Sequence, residues 1–398
     1  MKTEKWGDLM KIFHMGDWHI GKLVNGFYMT EDQEYILEEL FKVIEKEKPD
    51  LLVIAGDLYD RSIPPVQAVE LLNKTFEKIV IDLRTPVIAI AGNHDSNERL
   101  DFGSSLLRRS GLYIVGNLKR NIEKILLEDE FGKVNFYPIP FADAPVVRDL
   151  YEDENIKTPN DAMKRIIDEI NKDLNEEERN IAIAHGYVTK IREGNFEELV
   201  ESDSEKPISI GGTDFIDGKL FEKFNYTALG HLHGPQKVGN EKIRYSGSLM
   251  KYSFSEVNQK KGINIINLDS EGNVDVSFYK LKPKRDFRII EGYLEDIIND
   301  STKDDLSKED YIKVILRDKG EILDPMSKLR TVYPNVMELV REERLNKQGS
   351  ERKIADIREK STLTLFKDFY KDIVGEECTS EELEIITNIM DKAKGEEY

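Results

Sequence analysis

The chain has a single cysteine, Cys378, so no internal disulfide can hold it together, and no ligand pattern lies near that thiol; a half-buried free thiol between helices is expected. It has no long apolar run, which excludes a membrane-spanning helix, and residues 1–10 lack the apolar centre of a signal peptide. A soluble, cytoplasmic protein is expected. There is no GxxxxGK[ST] phosphate loop, so any dependence on ATP would have to come from a partner. Internal repeats and low-complexity tracts are absent as well. Positive charge is also short: 58 Lys and Arg face 77 Asp and Glu, a formal net charge of −19, which argues against a general polyanion-binding surface. That average conceals one basic stretch, from Lys237 to Arg288, in which Lys and Arg outnumber the acids. Without more information it reads equally well as a set of solvated hairpins.

Histidine is scarce too, with six residues, yet five of them fall in short motifs: GDWH (Gly16 to His19), GNHD (Gly92 to Asp95), AHG (Ala184 to Gly186) and GHLH (Gly230 to His233). A further motif, GDLYD (Gly56 to Asp60), contributes carboxylates alone. Carboxylate, amide and imidazole in this mixture are the donors that a pair of hard-to-borderline divalent cations takes. Most of the motifs follow apolar β-like runs, at residues 11–15, 51–55, 87–91 and 181–184. Such runs, separated by helix-length segments, predict buried strands of an α/β sheet, whose carboxyl ends converge on one crevice. His14 lies inside the first run, without ligand-like context, and is expected to be structural.

A chain of 398 residues exceeds one ordinary core. Residues 1–282 read as the first unit, ending in short strands near 242–246, 262–268 and 274–279. Residues 283–345 read as a small α+β unit, with strands at 287–293, 311–316 and 336–340 and a helix over 326–331. Residues 346–398 read as a charged tether followed by two amphipathic helices. The first of these carries Phe366, Phe369, Tyr370 and Ile373; the second opens on a capping box at Thr379 to Glu382 and carries Leu383, Ile386 and Met390.

The order GDxH, GDxxD, GNHD, H, GHxH resembles the calcineurin-like metallophosphoesterase superfamily. Within it, Tyr245 to Glu256 and Leu329 to Val336 are similar to segments of the SbcD-type nucleases, and the resemblance covers nearly the whole chain. It implies two sheets packed face to face between helices, an α/β (α+β) fold, followed by a DNA-gripping capping domain and helices that hold the coiled coil of an SbcC-type ATPase. It further implies Asp17, His19, Asp57 and His233 around one metal, and Asp57, Asn93, His185 and His231 around the other, with Asp57 bridging. The imidazole-rich set favours Mn²⁺ over Mg²⁺, with zinc and iron also compatible. His94, the motif histidine outside both ligand sets, is left to act on the substrate. Asp60 is its expected orienting partner, by analogy with phosphoprotein phosphatases; archaeal and eukaryotic nucleases have histidine at that position.

The activity so implied is that of a Mn-dependent DNA nuclease, exonucleolytic at double-stranded ends and endonucleolytic at single strands and hairpins, in DNA repair, recombination and replication. Residues 66–80 and 100–107 carry Leu71, Leu72, Phe76, Phe102, Leu106 and Leu107, and for some of these core packing is an equally good reading; the resemblance implies a homodimer through these two regions, within a heterotetramer with the ATPase. The competing readings are a small-molecule phosphomonoesterase or phosphodiesterase with the same dinuclear site, and a non-enzymatic protein-binding scaffold.

Overall fold

The computed structural model describes residues 9–192, 195–197, 199–205, 215–299, 306–320 and 322–342, with isolated positions between 366 and 387. Two six-stranded sheets dominate it. In the first, the order is Val274–Lys280, Gly262–Leu268, Met10–Met15, Leu51–Ile54, Val87–Ile90, Leu112–Val115, the last four being parallel. In the second, the order is Gln236–Val238, Asn240–Tyr245, Tyr226–Gly230, Arg179–His185, Gly132–Ile139, Ile125–Asp129, with a parallel centre.

Side chains alternate across each strand, and here both faces are covered. Leu51, Val53, Ile88 and Ile90 meet Phe136, Ile181, Ile183 and Tyr226 between the sheets. Leu52, Ile54, Val87 and Ala89 face the other way, against helices α1 (Thr30–Glu47) and α2 (Val66–Glu77). On the far side, the helices Ala144–Tyr151 and Pro159–Ile170 cover the second sheet with Val147, Tyr151, Ile166 and Ile167. Burial on both faces is why these strands read as unbroken apolar runs. At roughly 1.5–3 kcal/mol per large aliphatic or aromatic side chain, this burial is the main force holding the layers together.

Met10–Met15 and Leu51–Ile54 run in register as parallel neighbours, as do Arg179–His185 and Tyr226–Gly230, where His185 pairs with Gly230. The ligand loops therefore leave the sheets at one level. The last described unit is a parallel sheet, Phe287–Gly292, Tyr311–Leu316, Val336–Arg341, packed on helices Leu294–Asn299 and Pro325–Arg330. Its strands and the 326–331 helix lie within two residues of the expected bounds; the helix Leu294–Asn299 was not expected. Phe287, Tyr311 and Met337 continue into the core beside α1, and there Asp32 accepts hydrogen bonds from Arg285 Nη1 (2.6 Å) and Tyr311 Oη (2.7 Å).

The tether and most of the C-terminal helical pair lie outside the described residues. Of the latter, Thr379 and Glu382 form the expected capping box, Thr379 N donating to Glu382 Oε2 (2.8 Å) and Glu382 N to Thr379 Oγ1 (3.3 Å). Among the described residues no helix is long and apolar enough to cross a membrane.

Candidate metal centre

Four of the expected ligands sit on backbone with positive φ: Asp17 (53°), His19 (46°), Asp57 (51°) and His231 (112°). Non-glycine residues rarely adopt such angles. They are held there by neighbouring loops: Asp17 N donates to Gly56 O (3.0 Å), His19 N to Asp57 O (2.9 Å), and Gln33 Nε2 to His19 O (2.8 Å). Two glycines make this approach possible, since a Cβ on Gly92 would stand 2.1 Å from Asp57 Oδ1 and one on Gly230 would stand 1.9 Å from Ala55 O.

The side chains then converge. The ligand atoms of Asp17, His19 and His233 lie within 4.8 Å of one another, and so do those of Asp17, Asp57 and His185. Asp57 Oδ2 stands between the two groups, 3.6 Å from His19 Nε2 and 3.5 Å from His185 Nε2. Asn93 Oδ1 is 3.0 Å from His185 Nε2, and the ring of His231 stands 5.5 Å from that of His185, centroid to centroid. All seven expected ligands are thus neighbours.

The donor set fits a pair of cations. In neutral His185 the Nδ1–H donates to Ala55 O (2.8 Å), which leaves the Nε2 lone pair facing Asn93 Oδ1, another acceptor. His233 Nδ1 is taken by Ser204 Oγ (2.6 Å), so its Nε2 faces His19 Nε2 at 2.9 Å. Asp17 Oδ2 is buried without a hydrogen-bond partner. The His185 lone pair aimed at another acceptor, beside an orphaned carboxylate oxygen, is costly unless a positive charge joins them.

The electrostatics point the same way. Burial, and then the neighbouring Asp57 carboxylate, push the Asp17 carboxyl well above its ordinary range. Burial pushes Asp57 up as well, but the imidazoles of His185 and His94 outweigh it and hold this carboxyl below its usual value. Burial lowers His19, His185 and His233, and takes His231 down to about 3, so the rings stay neutral and able to ligate.

His94 is half-buried, whereas Asp17, His19, Asp57, His185, His231 and His233 are buried. It stands on the rim, its ring 4.6 Å from that of His19, and one of its nitrogens lies within 4.8 Å of ligand atoms of His19 and Asp57. This is nearer the ligands than the motifs implied. The expected pairing of the Asp60 carboxylate with His94 is corrected: His94 Nδ1 donates instead to the main-chain carbonyl of Asp60 (2.7 Å). The carboxylate turns away because Lys22 Nζ takes it at 2.7 Å, and it lies 3.8 Å from His19 Nδ1.

Sequence reasoning missed the outer layer. Lys22, Gln33, Ser204, Glu205 and Lys261 carry no motif, while Glu256 was visible only as the end of the Tyr245 to Glu256 loop. Glu205 Oε1 accepts His233 N (2.6 Å), and burial pushes its carboxyl up to about 7. His14 is structural as expected, bonded to Tyr226 Oη (2.9 Å) and Leu229 O (3.1 Å). The basic stretch is largely neutralised: Lys237 and Arg244 pair with Glu241, Lys251 with Asp286, Lys261 with Glu256, Lys284 with Glu31, Arg285 with Asp32 and Arg288 with Asp310.

Residues 10–235 match the family described as calcineurin-like phosphoesterase, and residues 283–373 match the type 5 capsule protein repressor C-terminal domain. The SbcD subunit of the nuclease SbcCD from Staphylococcus epidermidis is 36% identical over 381 residues, covering 96% of this chain and 98% of its own. Among solved structures, the Plasmodium protein GAP50, anchor in the inner membrane complex, is 13% identical over 70% of this chain and 90% of its own, with a TM-score of 0.39. A dimetal phosphatase from Danio rerio is 9% identical over 69% of this chain and 100% of its own, with a TM-score of 0.38.

Proposed function

The chain belongs to the calcineurin-like phosphoesterases and, within them, to the SbcD nucleases, and from that membership we propose that it hydrolyses DNA phosphodiesters at the centre built from Asp17, His19, Asp57, Asn93, His185, His231 and His233. The observation that carries the reading is the shared Asp57, whose Oδ2 stands at nearly equal distance from His19 and His185 and so can join two ligand groups. Two cations held there, Mn²⁺ by preference of the imidazole-rich set, would polarise a phosphate oxygen and supply hydroxide at neutral pH.

The chain's own residues supply the rest. Asn93 and His94 are the half-exposed members of the cluster, so the scissile phosphate approaches along them. The Asp60 carbonyl takes the His94 Nδ1–H and leaves Nε2 to act on the substrate, where the protonated ring can donate to the phosphoryl group or to the departing 3′ oxygen. Double-stranded ends, single strands and hairpins are the proposed substrates, and an SbcC-type ATPase, gripped by the two C-terminal helices, is the proposed partner. Because this chain is net acidic and pairs much of its own basic stretch, the partner would contribute part of the hold on DNA.

A homodimer is also proposed. Ile63 and Val66, just before and at the start of α2, and Phe102 and Leu106, in the segment 97–107, are exposed by 68%, 68%, 87% and 71%. Exposed large apolar groups in the two regions expected to pair suit an interface between copies. Three of the residues expected there are corrected: Leu71, Leu72 and Phe76 lie on the inner side of α2 and are buried in its own core.

The experiment that tests the reading measures Mn²⁺-dependent cleavage of hairpin and blunt-ended DNA beside p-nitrophenyl phosphate mono- and diesters. Turnover of DNA is expected to exceed that of the small esters. A preparation that hydrolyses only the small esters would make the chain a small-molecule phosphoesterase.

A further inference from the structure

Behind His233 lies an ion pair that none of the expected ligands requires. Glu256 and Lys261 are both buried, Glu256 completely, with Lys261 Nζ 2.6 Å from Glu256 Oε2. An ion pair in such a place gives little net stability compared with two packed apolar side chains, because both charges lose their water. Its remaining contacts show what it serves. Lys261 Nζ also donates to His233 O (2.7 Å), Ser248 Oγ (3.0 Å) and Gln259 Oε1 (2.8 Å). Glu256 Oε1 accepts from Ser202 Oγ (2.6 Å) and from Ser204 Oγ, and lies 3.4 Å from His233 Nδ1. The ring nitrogen and the carbonyl of one histidine are thereby tied to the two ends of one ion pair.

The other metal position is backed differently. His185 Nδ1 meets a neutral carbonyl, that of Ala55, at 2.8 Å. The two inward-facing imidazoles, chemically alike in sequence, thus differ in what stands behind them. A carboxylate behind Nδ1–H raises the electron density at Nε2 and fixes its direction, more than a carbonyl does.

We propose that Glu256, held by Lys261 and linked through Ser204, is the positioning residue for His233 and makes the metal position formed by Asp17, His19, Asp57 and His233 the tighter of the two. The inference rests on the two-metal reading above. Neutral Asn93, half-exposed, sits at the other position, which on this account fills second and exchanges faster.

Mn²⁺ titrated into the metal-stripped full chain, followed by calorimetry and by the electron paramagnetic resonance of unbound Mn²⁺, tests this. Wild type should bind two ions with unequal affinity. In Glu256→Gln the tighter constant should weaken about 10–100-fold, the range typical of lost outer-layer partners, while the weaker constant stays where it was. Because Glu256→Gln leaves Lys261 as a buried unpaired charge, the double variant Glu256→Gln/Lys261→Met serves as the folding control and should show the same selective loss. Unchanged constants in both variants, or equal loss at both positions with a lowered melting temperature, would make the pair structural and overturn the proposal. Wild type binding fewer than two ions would instead remove the two-metal reading.

Discussion

At His94, a main-chain atom does what a side chain was expected to do. The Asp60 carbonyl holds the ring, while the Asp60 carboxylate belongs to Lys22 and approaches His19. His94→Ala should therefore keep its metals, measured directly, and lose about 10²–10⁴-fold in DNA cleavage, the range of a lost general acid. Asp60→Ala should leave His94 anchored, so in a double-mutant cycle the two losses should add; strong coupling would restore a carboxylate–imidazole pair. His14 predicts a pH effect unrelated to catalysis. Burial keeps the folded ring unprotonated down to about 3, against an ordinary 6.5. Over that window the unfolded chain binds the extra proton, so stability rises with pH across it and is lost as pH falls. His14→Gln should make the acid limb shallower by up to ~1.4 kcal/mol per pH unit, read from urea unfolding at a series of pH values. Residue types in motifs were legible in the sequence, whereas which atom of Asp60 would be used was not, because that depends on how the 57–60 turn meets Lys22.

Elements were most legible where both faces are buried, as in Leu51–Ile54 and Val87–Ile90, since no polar residue interrupts the pattern. Amphipathic helices were less so. The α2 pattern revealed an apolar face but not what covers it, and Leu71, Leu72 and Phe76 proved to be covered by their own sheet and helices. The clustered cations from Lys237 to Arg288 meet acids far away in sequence, such as Glu31 and Asp32 on α1, and no linear reading of charge could foresee that. The α1 contact has a consequence of its own: Arg285 and Tyr311 both converge on one Asp32 oxygen at the start of the small parallel sheet. Arg285→Ala should loosen that sheet from α1, seen as faster limited proteolysis across residues 281–287 and a separate early calorimetric transition, with Mn²⁺ binding unchanged. A single unaltered transition would show that Phe254, Phe287 and Tyr311 suffice to hold the junction.

For the whole molecule, the exposed apolar side chains of Ile63, Val66, Phe102 and Leu106 predict assembly. Phe102→Asp combined with Leu106→Asp should give a monomer by light scattering at micromolar concentration, with its metal content intact. A wild type that is itself monomeric would remove the dimer. The convergence of the five motifs followed from sequence because strand ends in a parallel sheet share one edge, whereas the two-sheet sandwich was implied by the family resemblance. The buried support behind His233 did not, because Ser204, Glu256 and Lys261 approach it from segments that only the folded chain brings together.

The positive φ angles at Asp17, His19, Asp57 and His231 set stability and activity against each other during evolution. Each costs of order 1–3 kcal/mol of backbone strain, a cost that disappears when glycine, or any loop free to relax, takes its place. A lineage released from the need to cut DNA would therefore relieve that strain by losing its ligands, opposed only by the hydrogen bonds that Asp17 and Asp57 accept from His231 N and His94 N. The same slope faces a breeder of thermostable variants: selection by melting temperature alone would enrich inert proteins, and only a screen that also scores turnover would keep the centre in place.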